Sequence, residues 1–220
     1  PLFEDFAAIS DSSSLSLSVV YPNPGSSYLW QRSTENTVRI GDPRIFSVEP
    51  HVFIRDLDPT YSDTLAPIII REHEEVAAIQ ATEDIIFALP DTSQLVWDLS
   101  QLSSIVYNDN LISGISLDDP HHMRIDISSD LEPGDSLLFR QFRVSNIINR
   151  QKPDNLLMSL NQGLSYNRVD TAFIGVGAPS ITSIDTQKFL FKDVSQFLTP
   201  IQIIEDQSLK TISAKYGIVL

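Results

Sequence analysis

Apolar and polar positions alternate along much of this chain with a period of two. In Met123-Arg124-Ile125-Asp126-Ile127-Ser128 every second residue is apolar, the pattern of a strand with one face on a core and the other in water. Glu132-Pro133-Gly134-Asp135 follows, with Pro and Gly in the order a tight turn requires. Residues 136–144 then predict a returning strand. Residues 84–89 and 94–98 predict two more, separated by Pro90-Asp91-Thr92-Ser93, and Ile68-Ile69-Ile70 with Val76-Ala77-Ala78-Ile79 predicts a further pair. Turn signals recur roughly every 8–12 residues, the spacing of a β-sandwich. No long window keeps a helical period, and residues 143–151 offer one short helix at best. The chain therefore reads as all-β.

The chain also resembles itself. Set at an offset of 133 without a gap, Leu65, Pro67, Ile68, Ile70, Glu72, Ile79, Ala81 and Ile85 match Leu198, Pro200, Ile201, Ile203, Glu205, Ile212, Ala214 and Ile218. At an offset of 136, Gly41, Pro43 and Ile45 match Gly177, Pro179 and Ile181, and Leu2, Phe3 and Phe6 match Leu138, Phe139 and Phe142. Three stretches with nearly one offset predict tandem modules of about 135 residues, each the size of one ordinary domain. Residues 1–43 read as the back part of a first module, 44–178 as a complete one, and 179–220 as the front part of a third. The chain opens without Met and stops at Gly217-Ile218-Val219-Leu220, so both ends look cut or processed.

Composition narrows the function classes. A 42% apolar content is that of a folded protein, and no apolar run is long enough to span a bilayer. Cysteine is absent, which excludes disulfides, thiol nucleophiles and thiolate metal sites. The net charge of −14, with basic residues scattered singly, argues against nucleic acid as a partner.

These segments carry a resemblance. Gly177-Ala178-Pro179-Ser180-Ile181, Ile85-Ile86-Phe87-Ala88-Leu89-Pro90, Trp97-Asp98 and Pro133-Gly134-Asp135-Ser136-Leu137 stand in an order that resembles tandem repeats of very large bacterial surface and adhesin-like proteins. The resemblance covers nearly the whole chain and implies immunoglobulin-like or cohesin-like sandwiches, secreted to the cell surface and strung in an array, with neighbouring repeats or further copies as partners. It implies a structural role and no catalysis. Phe87-Ala88 replaces the charged-apolar pair of those repeats, which predicts that the outward face of that strand is buried here.

Candidate chemistry is sparse. Asp118-Asp119-Pro120-His121-His122 has metal-ligand types, but neighbouring side chains on an extended segment point apart, and a solvated turn is expected. His73 is replaced by Asp206 in the aligned copy, which argues against a shared catalytic role. Asp56, Asp58 and Asp63 are the best candidates for calcium, although no D-x-D-x-D-G loop is present. There is no G-x-S-x-G elbow and no Gly-rich phosphate loop, so an enzyme is not expected. Trp97 reads as core. Tyr21, Tyr28 and Trp30 lie where the copies diverge and are the candidates for stacking on a glycan or anchoring a partner.

Overall fold

A computed structural model describes residues 13–23, 26–38, 41–81, 84–107, 110–160, 168–186 and 199–212, the first two segments as backbone only. In chain order its strands are β1 (Ser13–Asn23), β2 (Ser26–Val38), β3 (Arg44–Ser47), β4 (His51–Ile54), β5 (Ser62–Thr64), β6 (Ile68–Arg71), β7 (Ile85–Ala88) and β8 (Val96–Trp97). They continue with β9 (Ile112–Leu117), β10 (His122–Ile127), β11 (Ser136–Phe139), β12 (Arg143–Ser145), β13 (Gln151–Ser159), β14 (Arg168–Gly177), β15 (Ser180–Ser183) and β16 (Ile201–Ile204). One 3₁₀ turn, Leu102–Ser104, is the only helical element among the described residues, so the chain is all-β. No helix there is long and apolar enough to cross a membrane.

The strands form five sheets: β4-β14-β13-β7-β10-β9, β11-β6-β3, β5-β12-β8, β1-β2 and β15-β16. Every pairing is antiparallel except β14 with β4. Within residues 44–178 the first three sheets close over one core. Phe87 of β7 meets Phe139 of β11 edge-on at 5.7 Å and Phe142 at 6.0 Å, while Trp97 of β8 meets Phe142 at 6.0 Å. These edge-to-face contacts suit the quadrupoles of aromatic rings and tie the six-stranded sheet to the two smaller ones. Trp97 is core, as expected, and its indole N–H donates to the His121 carbonyl at 3.0 Å.

The alternation read from the sequence is the burial pattern found. Met123, Ile125 and Ile127 of β10 point inward and are buried, as are Leu137 and Phe139 of β11. In β7 both faces are covered: Ile85, Ile86 and Phe87 are all buried, in line with the Phe87-Ala88 departure. The Pro133-Gly134 turn forms with Gly134 at φ 83°, and the Asp135 N–H donates to the Glu132 carbonyl at 3.0 Å.

Three expectations fail locally. Residues 136–144 are two strands, because Gln141 adopts φ 69° and turns the chain out of the sheet of β6 into that of β5 and β8. Residues 143–151 begin with β12 and form no helix; Asn146 at φ 62° ends that strand. Val76 to Ile79 is a loop and not a strand. β6 pairs instead with β11 and β3.

Candidate functional site

That loop is organised by one side chain. The Glu72 carboxylate, 2% exposed, accepts the N–H groups of His73 at 2.7 Å, Ala78 at 2.9 Å and Ile79 at 2.7 Å. Backbone donors that a strand partner would otherwise take are thus satisfied by a carboxylate, whose charge strengthens each bond. The same construction recurs 133 residues later. Glu205 accepts the N–H groups of Asp206 at 2.9 Å, Thr211 at 3.0 Å and Ile212 at 2.8 Å, together with the Thr211 hydroxyl. The hydroxyl of Thr211 and these N–H groups hold its carboxyl down at about 2, against the opposing effect of desolvation.

The strands beside the two loops agree rung by rung. β3 pairs with β6 as Arg44↔Arg71, Ile45↔Ile70, Phe46↔Ile69 and Ser47↔Ile68. β15 pairs with β16 as Ser180↔Ile204, Ile181↔Ile203, Thr182↔Gln202 and Ser183↔Ile201. Each rung of the second hairpin is the first shifted by 136 and 133 residues. Beyond the last rung, the Val48 N–H donates to the Pro67 carbonyl at 3.0 Å and the Ile184 N–H to the Pro200 carbonyl at 3.3 Å. His73 and Asp206 also do one job with different chemistry, each accepting from the N–H two residues on, of Glu75 and Ser208.

Both loops press on a glycine. A Cβ on Gly41 would stand 2.8 Å from the Ala78 Cβ and 3.1 Å from the Val76 carbonyl oxygen. A Cβ on Gly177 would overlap the Thr211 Cγ2 and approach the Leu209 Cβ to 3.4 Å. Both positions suit glycine because loop side chains, joined at Gly41 by the Val76 carbonyl, crowd the space a Cβ would fill.

The second loop also seats on the body of residues 44–178. Leu209 is 3% exposed and lies against Gly175. Arg150 Nε is 2.7 Å from a carboxylate oxygen of Asp206, and the Ala178 N–H donates to Asp206 at 3.0 Å. The Arg150 guanidinium holds the Asp206 carboxyl well below the usual range despite its desolvation. Apolar burial, an ion pair and a backbone bond therefore fix the loop at 205–212 to β14, to Ala178 just after it and to Arg150 just before β13.

A second cluster was invisible to sequence reasoning. Ser47, His51 and Asp170 are buried together. The Ala66 N–H donates to His51 Nδ1 at 3.0 Å, so the ring proton sits on Nε2, which lies 2.8 Å from Ser47 Oγ and donates to it. Ser47 in turn donates its hydroxyl proton and its N–H to Asp170, which also accepts the Ala172 N–H at 3.1 Å. Although burial penalises its charge, the His51 ring 3.8 Å away and the bonds from Ser47 and Ala172 hold the Asp170 carboxyl below its ordinary value. A nucleophilic serine gives its proton to histidine; here the proton order runs the opposite way, and the cluster clamps β3, β4 and β14 together.

The residues singled out from the sequence fall elsewhere. Asp56 accepts the Asp58 N–H, Asp58 accepts the N–H and hydroxyl of Thr60, and Asp63 accepts the Thr64 N–H. The Thr60 hydroxyl and N–H also hold the Asp58 carboxyl below its ordinary value. Among the described residues no three His, Cys, Asp or Glu side chains gather to hold a metal ion. Asp119 caps the β9–β10 turn, accepting the N–H groups of His121 and His122 and pairing with the His122 ring at 2.8 Å. For Tyr21, Tyr28 and Trp30 the structure describes backbone register alone: Tyr21 pairs with Tyr28 and Val19 with Trp30.

No protein-family model and no curated protein matches this sequence.

Proposed function

We propose that this chain is a structural, non-catalytic run of tandem β-sandwich modules, immunoglobulin-like in architecture, that builds an extracellular stalk or filament. The supporting observation is the recurrence of one assembly, a hairpin, a carboxylate-braced loop and the glycine under it, at residues 41–79 and again at 177–212. Internal repetition of a supersecondary unit is the signature of an array in which each unit packs on its neighbour. The Arg150–Asp206 and Leu209–Gly175 contacts give such an array a fixed step from one unit to the next. On this reading those contacts serve to set the spacing between units.

Immunogold electron microscopy of producing cells tests this reading. Label on surface fibres or stalks is the expected result. Label confined to the cell interior contradicts it. A second reading, glycan adhesion, is favoured by the register that pairs Tyr21 with Tyr28 and sets Trp30 two residues further along β2. It requires glycan-array binding that is lost in Trp30→Ala.

A further inference from the structure

The chain contains three Asp-Pro bonds, Asp42-Pro43, Asp58-Pro59 and Asp119-Pro120. Such a bond is weak towards acid. The carboxylate can close a five-membered ring on its own carbonyl carbon, and the tertiary amide lets proline leave as a secondary amine once its nitrogen is protonated.

The structure surrounds the three bonds differently. In the β9–β10 turn one oxygen of the Asp119 carboxylate accepts the N–H groups of His121 at 2.7 Å and His122 at 2.9 Å, so the side chain is folded forward along the scissile bond. The Asp119 carbonyl oxygen, where charge would develop under attack, accepts the His122 N–H at 3.3 Å. The other carboxylate oxygen lies 2.8 Å from Nδ1 of the His122 ring, and histidine is the side chain that carries a proton in mild acid. Although desolvation opposes it, the bonds from His121 and His122 hold the Asp119 carboxyl below its ordinary value, which keeps the nucleophile ionised. Both side chains are open to water, at 49% and 42% exposed. The leaving side is anchored: the Trp97 N–H donates to the Pro120 carbonyl at 2.9 Å and the Leu89 N–H to the His121 carbonyl at 3.0 Å. Those two residues are uncharged, and the neighbouring Asp118 is neutralised by a two-pronged bond from Arg124.

Asp58-Pro59 shares this turn without the imidazole. Asp58 accepts the Thr60 N–H, and its carbonyl accepts the Tyr61 N–H at 3.1 Å, but the Thr60 hydroxyl stands where His122 stands in the other turn. At Asp42 the carboxylate is drawn to Arg168 at 2.6 Å and is mostly buried.

We propose that the folded chain cleaves itself at Asp119-Pro120 in mild acid, with Asp119 as nucleophile and His122 as proton donor. The Asp119 carboxylate adds to its own carbonyl carbon, the C–N bond breaks, and the His122 imidazolium gives its proton to the departing prolyl nitrogen. Water then opens the cyclic anhydride to two carboxylates. The two protons released restore the imidazolium and charge the new prolyl amine. The net change is hydrolysis of one peptide bond, with Asp119 as a new C-terminus and Pro120 as a new N-terminus. The two pieces stay in one fold, because β9 and β10 remain paired from Met123↔Leu117 to Ile127↔Ile112 and Arg124 bridges the cut to Asp118 and Asp84. The bond breaks once per chain, so the site is independent of the structural reading above.

Mass spectrometry under denaturing conditions, on the full chain held in mildly acidic buffer with and without strong urea, tests this with the other two Asp-Pro bonds as internal controls. In the folded chain Asp119-Pro120 is expected to break at least about tenfold faster than Asp58-Pro59, a modest share of what general acid catalysis supplies, and Asp42-Pro43 to be slowest. Urea should slow the cut at Asp119 and bring the three rates together. His122→Gln should lower the Asp119 rate to that of Asp58, with Asp42-Pro43 still slowest as the sign that the variant is folded. Asp119→Ala should abolish that cut alone. Three equal rates in the folded chain, an Asp119 rate that urea does not lower, or a folded His122→Gln that cleaves as fast as wild type would each overturn the proposal.

Discussion

Glu72 and Glu205 stand in the same relation to their own loops: each carboxylate accepts the backbone N–H one, six and seven residues further along. A shared fold class would not require this. Two strands of similar sequence pair for generic reasons, but a side chain that closes one particular loop onto one particular glycine is a specific solution. Finding it twice, with matched strand register beside it, is why repetition is the centre of this account.

The brace at Glu205 sets a pH dependence. Its carboxyl is lowered to about 2 from an ordinary 4.5, so the folded loop favours the ionised form. The stability it contributes is fully present above the ordinary value and is lost as pH falls through about 2. The protection of the Thr211 and Ile212 amides relative to their intrinsic exchange rates, followed by NMR, should hold down to about pH 3 and fall below it. Protection already lost at pH 5 would show that the carboxylate does not hold the loop.

The crowding at Gly177 makes a coupled prediction. Gly177→Ala drives a methyl into the Thr211 Cγ2 and should destabilise by about 1–3 kcal/mol, the usual cost of overpacking. Thr211→Ser removes that methyl while keeping the hydroxyl that donates to Glu205. In a double-mutant cycle monitored by thermal melting, the serine should recover at least half of the loss. Additive losses would place the crowding elsewhere.

The Ser47–His51–Asp170 cluster predicts stability without reactivity. Asp170→Ala leaves the Ser47 N–H, the Ser47 hydroxyl and the Ala172 N–H without their buried acceptor, a cost on the order of 3 kcal/mol, measurable by urea unfolding. A serine-reactive fluorophosphonate probe should leave Ser47 of the folded chain unmodified, because the proton order works against a nucleophile and the residue is buried. Labelling at Ser47 in mass spectrometry would refute the purely structural role.

Much of the strand framework was legible because β7, β10 and β11 alternate or run apolar between clear turns, and Pro133-Gly134 states its turn type outright. The missed features share one cause: each depends on a partner that local patterning does not name. Val76 to Ile79 looks like a strand in isolation, and only the Glu72 carboxylate makes it a loop. Gln141 carries no preference that foretells φ 69°; packing of Phe142 against Phe87 and Trp97 rewards the turn. Ser47 and Asp170 lie 123 positions apart, beyond the reach of any spacing rule. The identity of Glu72 with Glu205 was visible in the self-comparison, but its meaning as a brace needed the loop geometry.

Hydrogen exchange at four amides, Ala78, Ile79, Thr211 and Ile212, tests the central claim most directly when repeated in Glu72→Gln and Glu205→Gln. Protection of both pairs in the wild type is expected, with Glu72→Gln exposing Ala78 and Ile79 alone and Glu205→Gln exposing Thr211 and Ile212 alone. If either pair exchanges freely in the wild type, or keeps its protection when its own glutamate is changed, the two loops are not one device used twice and the repeat account falls.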